Sequence, residues 1–550
     1  MLRIVNGRVH DPSHGVGGEV RDIYIQDGRI VSGEGLDPAQ ARDMETLDAA
    51  GCAVLPGGVD IHSHIAGAKV NSGRIMCPED HYGHVRAATD VTRPGCGLIV
   101  PSTYETGYLY SQLGYTTVFE AAVPPIEARH AHEELMDIPM LDTGCFAVMG
   151  NNYLVMKVLN DPDPVRRRER LRGLVPWLLQ ASRAFAVKVV NPGGVEDWKW
   201  NAGAADLDTP TPPFGVTPRQ IVTGLAEAVD SLGLPHPMHL HCNHLGDPGN
   251  VETTLATMET LSGHRTHFTH LQYHAYGRTK KGGFTSGAAR LAEYLDAHPE
   301  FTCDVGQIVF GNTLTMTSDA PMEFKLHKMR GAKWGNCDIE MEGGSGLVPV
   351  RYAPKVLVNA IQWAVGLELL LLIKNPWQVF LTTDHPNAGP FTSYPEIIRL
   401  LMDADYRRSW LEKLHPRVRR RTVLFDLDRE YDLDEIAVIT RAGTARRLGL
   451  SSKGHLGAGA DADVAVYPIL SDKAAMFSRP RFVLKQGELV VRDGQIVAER
   501  TGRTLCVAPE GYRQLPEDLA ETFAGCYTVK LANYMVEDEY LRRPEVVPCG

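Results

Sequence analysis

Ala53-Val-Leu-Pro-Gly-Gly-Val-Asp-Ile-His-Ser-His64 is a short apolar run that meets Pro56 and two glycines, then continues as Val59–His64. As a strand, Val59–His64 alternates its side chains between two faces, so His62 and His64 project to the same side. Two imidazoles so placed can bind one metal ion, and imidazole suits zinc or nickel-like ions. Taken alone, an H-x-H is more often a pair of buried, hydrogen-bonded histidines. What weighs against that reading is the rest of the chain, which adds ligand-type residues at the ends of further apolar runs.

Those runs are Thr116–Val123, Cys145–Gly150, Phe185–Val190, Met238–Cys242, His267–Leu271, Phe301–Val309 and Val379–Thr383. Amphipathic stretches such as Ile126–Met136, Arg167–Ser182, Pro218–Leu232 and Pro354–Ile373 separate them. Eight strands with intervening helices predict an α/β protein, a (β/α)8 barrel over 53–430 whose chemistry sits at the C-terminal strand ends. Residues 1–52 alternate apolar and polar positions around Asn6-Gly7 and Asp27-Gly28, both hairpin turn signals, and are expected to form a small sheet. The β texture returns over 431–510, with a hairpin around Gln486-Gly487, and is read as completing that sheet. Residues 511–550 form a C-terminal extension without a readable pattern.

A chain of 550 residues points to two domains or one large barrel with additions. Hydrophobic content of 43%, charged content of 22% and a mean hydropathy of −0.18 are those of an ordinary soluble protein. The formal net charge of −11 argues against non-specific binding to nucleic acid or anionic membranes. No stretch offers the ~18 uninterrupted apolar residues of a membrane span. With no signal-peptide core at the N-terminus and ten scattered cysteines lacking any C-x-x-C pair, a cytoplasmic location is expected.

The polar residues at the strand ends form a series. His62 and His64 end strand one, Lys188 lies in strand four, and His239 and His241 share a face of strand five. Strand six carries His270, and Asp384-His385 follows strand eight. Burial lowers a lysine pKa, and the neutral amine can react with CO2 to give an anionic, bidentate carbamate.

This order resembles the amidohydrolase superfamily, binuclear-metal hydrolases with a β-sandwich built from both chain ends. Longer strings narrow the resemblance: Gly57-Gly-Val-Asp-Ile-His-Ser-His-Ile-Ala-Gly-Ala-Lys-Val-Asn-Ser-Gly-Arg74, Tyr104–Pro125, Val187-Lys-Val-Val-Asn-Pro-Gly-Gly194 and Thr382-Thr-Asp-His-Pro-Asn387. They look like the formylmethanofuran dehydrogenase A-subunit family, which includes the alpha subunit of the formyltransferase/hydrolase complex. The resemblance implies two divalent metal ions, expected to be zinc. His62 and His64 would hold one, carboxylated Lys188 would bridge both, and His241 and His270 would hold the other. Asp384 would ligate the first ion and act as the catalytic proton carrier. His241 is taken over His239 because His-Cys-Asn stands where related enzymes have His-Ala-Glu; the spacing itself leaves both open.

The implied reaction is metal-dependent hydrolysis of an N-formyl amine on a methanofuran-like carrier to formate and free amine. The chain would be the hydrolase subunit of a formyltransferase/hydrolase or formylmethanofuran dehydrogenase complex, and the long segments 65–115 and 312–353 exceed ordinary loop lengths. Two basic loops on the catalytic side are candidates for the carrier's carboxylates: Arg278, Lys280 and Lys281 after strand six, and Lys325, Lys328, Arg330 and Lys333 after strand seven. The alternatives are a cyclic-amide hydrolase of the dihydropyrimidinase kind and a non-catalytic scaffold protein of such a complex.

Overall fold

The computed structural model describes residues 1–34, 44–201, 203–337 and 345–550. Residues 338–344 of the second long segment lie outside them. Eight strands, Gly58–Ser63, Tyr115–Val123, Asp142–Val148, Ala186–Val190, Met238–His241, Thr266–Phe268, Phe301–Asp304 and Val379–Phe380, pair in chain order in one parallel sheet. A parallel bridge between Ser63 and His385 closes the ring, and His64 N donates to His385 O at 2.7 Å. Each strand falls on one of the eight apolar runs, which are continuous because helices cover the outer face while side chains fill the inner one. Caps fix the helix starts: Thr217 and Gln220 form a reciprocal capping box before Pro218–Ser231, and Asp163 caps Pro164–Ser182.

The sandwich does come from both chain ends. One sheet has four strands from residues 2–48; the other has seven, with Cys52–Pro56 paired to Val464–Pro468. The chain therefore stays in the sandwich through Pro56 before entering the barrel at Gly58. Gln486-Gly487 and Asp27-Gly28 are two-residue hairpin turns, with Lys485 opposite Glu488 and Gln26 opposite Arg29. Both residues of each turn have positive φ, as that turn type requires. Asn6-Gly7 is not a hairpin turn. Leu2–Val5 pairs with Ile23–Gln26, whereas Arg8–Asp11 pairs with Val16–Val20 and Cys52–Pro56, so this dipeptide carries the chain from one sheet to the other. A Cβ on Gly7 would sit 2.3 Å from Val54 Cγ2, so glycine permits the close crossing.

The long segments are not open loops. Helices Ala68–Met76 and Thr103–Gln112 occupy the first, and the second forms a three-stranded sheet with helix Ala320–Arg330. They pack on each other through Val70, Cys77, Val100, Leu314, Met316 and Leu347. The C-terminal extension wraps the barrel. Tyr534 stacks on Trp177 at 5.9 Å, and Glu545–Val546 pairs with Leu505–Cys506.

Barrel and sandwich are locked by a buried ion network. Asp142 Oδ2, at the start of barrel strand three, lies 2.5 Å from Lys453 Nζ, 2.8 Å from Lys485 Nζ and 3.0 Å from Arg503 Nη2. Asp463 Oδ2 meets both lysines at 2.9 Å, and Asp461 pairs with Lys453 and Arg503. Three carboxylates face three cations, so the cluster holds no net charge, and its aspartates are occupied by cations of the chain itself. Lys485→Met leaves Asp142 and Asp463 short of a partner in a dry site and is expected to cost about 3–5 kcal/mol. Urea unfolding measures this, and a loss below about 1 kcal/mol would mean that the network is dispensable.

Candidate metal centre

The centre sits at the C-terminal mouth of the barrel, where pleat and register place it. His62 and His64 share a face of strand one, and the strand is pinned from behind through Asp60. That carboxylate accepts from His62 N at 3.1 Å, from Tyr110 OH at 2.8 Å and from Tyr394 OH at 2.5 Å. Across the ring, Lys188 stands opposite His239 and Val190 opposite His241. Asp384 and His270 lie just past their strands with φ of 47° and 35°, left-handed conformations that turn them inward.

Asp384 Oδ1 lies 2.9 Å from His62 Nε2 and 3.2 Å from His64 Nε2. The His241 and His270 rings meet edge to face at 4.7 Å, and His62 and His270 at 5.3 Å. Lys188, 1% exposed, donates to Thr269 Oγ1 at 3.2 Å. The structure thus brings together His62, His64, His241, His270 and Asp384, with Lys188 on the neighbouring strand face. His239 lies behind His62, its Nε2 3.0 Å from His62 Nδ1.

The chemistry of this donor set fits cations. His270 Nδ1 is a buried polar atom without a hydrogen-bond partner among the described residues, His241 Nε2 faces the Asp319 carboxylate at 3.3 Å, and His62 Nε2 and Asp384 Oδ1 face each other. His62, His64 and Asp384 form one group able to hold an ion, and His241 and His270 belong to a second. Burial alone would raise the Asp384 pKa, but His270, His62 and His64 outweigh it and hold the carboxyl well below its usual range. Burial alone would lower the His62 pKa; the Asp304 and Asp384 carboxylates raise it instead, so a cation there would compete with a proton. Burial brings Lys188 down to about 7 although Asp304 and Asp384 oppose the shift, so much of the amine is neutral near pH 7.

Several residues outside the expected ligand set order the centre. Glu120, within strand two, lies 3.0 Å from His64 Nδ1 and accepts from the Ile65 and Ala66 amides and Lys69. Burial would raise its pKa, but Lys69 and His64 bring it down to about 2, so it is an acceptor and fixes His64 with Nε2 bare. A second device runs down the barrel axis. The Arg447 carbonyl lies 3.1 Å from His236 Nδ1, His236 Nε2 lies 2.9 Å from His239 Nδ1, and His239 Nε2 lies 3.0 Å from His62 Nδ1. A carbonyl only accepts, and burial keeps His236 and His239 neutral. Every proton in the chain must then point toward Arg447, which puts a His62 proton on Nδ1, so that Nε2 is the nitrogen free to exchange its proton for a cation. Asp304, bonded to His267 at 3.1 Å and to the His270 amide at 2.9 Å, braces strands six and seven.

Beside the centre opens a cavity of about 560 Å³ whose inner end is His241, His270 and Asp384. Its wall is mostly apolar, with Phe284, Met322, Leu326 and Val350, and it includes Glu323, whose buried carboxyl is pushed well above its ordinary pKa. Of the basic candidates, Lys325 and Arg330 line the cavity; Arg278, Lys280, Lys281, Lys328 and Lys333 are exposed and do not. Lys325 pairs with Asp247.

The amidohydrolase family profile matches residues 45–498. The chain is 47% identical to protein FwdA of Methanocaldococcus jannaschii over 99% of its own length and 98% of that protein. It is 42% identical to the A-subunit of the formyltransferase/hydrolase complex Fhc of Methylorubrum extorquens, over 93% of this chain and 92% of that one. Its fold superposes with a TM-score of 0.93, at 40% identity and full coverage of both chains, on a chain of the crystal structure of the Methylorubrum extorquens formyltransferase/hydrolase complex FhcABCD bound to methylofuran. Among the described residues no helix is long and apolar enough to cross a membrane. The chain belongs to the amidohydrolase family, in the group that holds FwdA and the Fhc A-subunit.

Proposed function

We propose that this chain hydrolyses an N-formyl amine carried on a methanofuran-like molecule, giving formate and the free amine. It acts as the hydrolase subunit of a formyltransferase/hydrolase or formylmethanofuran dehydrogenase complex in the cytoplasm. The observation that carries this reading is the convergence of buried imidazole and carboxylate ligand atoms at the inner end of an apolar cavity, in a chain so similar over its length to the Fhc A-subunit. His62, His64 and Asp384 would hold one divalent ion and His241 and His270 the other, with carboxylated Lys188 as a ligand common to both; zinc suits these ligands. Such ions supply Lewis acidity, polarising an amide carbonyl and lowering the pKa of water.

The chain's own groups do the rest. The apolar wall takes the carrier's ring and excludes water from the formyl group. Asp384 accepts the proton of the attacking water at Oδ1 and returns it to the leaving nitrogen, because an amine departs only when protonated. Formate release from a synthetic N-formyl furfurylamine carrier, before and after chelation, tests the reading. Chelated protein should lose activity and regain it with zinc; full activity in a metal-free preparation would overturn the proposal.

The carrier's carboxylates are met at the cavity by Lys325 and Arg330. Exposed ion pairs contribute about 0.2–1 kcal/mol each, so Lys325→Gln and Arg330→Gln should each raise KM up to about fivefold with kcat unchanged. Added salt should act in the same direction. A KM indifferent to salt and to both substitutions would assign these cations to a partner protein or to solvent.

A further inference from the structure

His274 ends the short turn Leu271–His274 that follows barrel strand six, one helical turn beyond His270. It is 1% exposed, and neither of its ring nitrogens has a hydrogen-bond partner among the described residues. Burying two polar ring atoms unpaired is costly unless something else satisfies them. Its ring stacks on His270 at 5.4 Å and meets His241 at 5.2 Å, and ligand atoms of the three rings lie within 4.8 Å of one another. Thr254 Oγ1 donates to the His274 carbonyl at 2.9 Å and holds the turn in place. His241 and His270 line the cavity whereas His274 does not, so its ring backs the pair and does not face a carrier.

We infer that His274 is a third imidazole ligand of the second metal ion, together with His241 and His270. Three imidazoles are an established zinc-binding set, and they leave a coordination position free for the bridge or for water. The inference rests on the two-ion reading above and adds a ligand to it.

The test uses the full-length protein with any subunits that copurify, stripped of metal and titrated with Co2+, whose visible absorption reports coordination. The unaltered protein should take up two equivalents. His274→Ala and His274→Phe should bind the first as before and the second at least about tenfold more weakly, with an altered visible band. The phenylalanine variant keeps the ring's volume and decides the matter if the alanine variant does not fold. Two equivalents taken up by the Phe variant with unchanged affinity and spectrum would overturn the inference. Fewer than two equivalents on the unaltered protein would overturn the two-ion reading itself, and this inference with it.

Discussion

Replacing Asp384 by asparagine is expected to lower kcat by about two to four orders of magnitude while the protein still folds. Its Oδ1 is the atom on which His62 Nε2 and His64 Nε2 converge, at 2.9 and 3.2 Å. Asparagine fills the same volume, and it tolerates the left-handed backbone that Asp384 adopts at φ 47°, so the strand end keeps its shape. What is lost is the negative charge between two imidazoles and a group able to take a proton and give it back. On the proposed reading the apolar wall carries most of the substrate binding, so KM should change far less than kcat. Steady-state kinetics with melting and metal content measured on the same sample separate these effects. Near-normal turnover in a folded, metal-replete variant would place the proton carrier elsewhere. The neighbouring His385 is a poor substitute: its Nδ1 accepts from the Phe391 amide at 3.2 Å, and burial brings its pKa down to about 3.

The barrel was legible because its strands are buried on both faces and therefore read as unbroken apolar runs, and those of strands one, four, five, six and eight carry, or lead straight into, a polar residue foreign to a core. That logic finds His62, His64, Lys188, His241, His270 and Asp384, which sit on or just past strands whose period fixes the direction of each side chain. It does not find their supports. Glu120 is a lone charge in an apolar run, as Lys188 is, but only the parallel register of strands one and two brings it to His64. His236 and His239 gain their role from a carbonyl at Arg447, more than 200 residues away in sequence. The Asp142 network is similar: its members come from barrel strand three, the loop before Val464, a sandwich hairpin and Arg503, and no local pattern links them. The turn at Asn6-Gly7 failed for a related reason. A dipeptide specifies how sharply the chain bends, whereas which strands pair afterwards is set by tertiary packing, here the crossing of Gly7 over Val54.

The spacing of His239 and His241 shows the same limit from the other side. Both project from one face of strand five, so periodicity alone could not separate them. Depth does: His239 lies one step further into the barrel, in contact with His62 Nδ1 and His267, whereas His241 reaches the cavity. Residues two apart on a strand differ by about 6–7 Å along its axis, enough to put one in the centre and the other beneath it.

Lys188→Ala should lose metal and activity together, the activity by at least about a hundredfold, since even outer groups around a metal cost 10- to 100-fold. Lys188 is buried, among the carboxylates Asp304 and Asp384 and several imidazoles, and an ordinary ammonium there would be worth keeping only as a counter-ion. Its pKa of about 7 makes the neutral amine available, and the neutral amine is the form that reacts with CO2. A carbamate formed there would be an anion with two oxygens on a long arm, suited to serve two ions at once. Alanine removes that arm and leaves a cavity bounded by Thr269 and the site itself. If Lys188 is carboxylated, a short carboxylic acid diffusing into the cavity should restore part of both metal content and turnover, because it would supply the missing anionic ligand without the chain. A lysine acting only as a structural cation predicts the opposite: carboxylate would not help, and a small amine would. Metal analysis of the variant with acetate, with propionate and with methylamine distinguishes the two, and a variant with normal metal content and activity would remove Lys188 from the centre altogether.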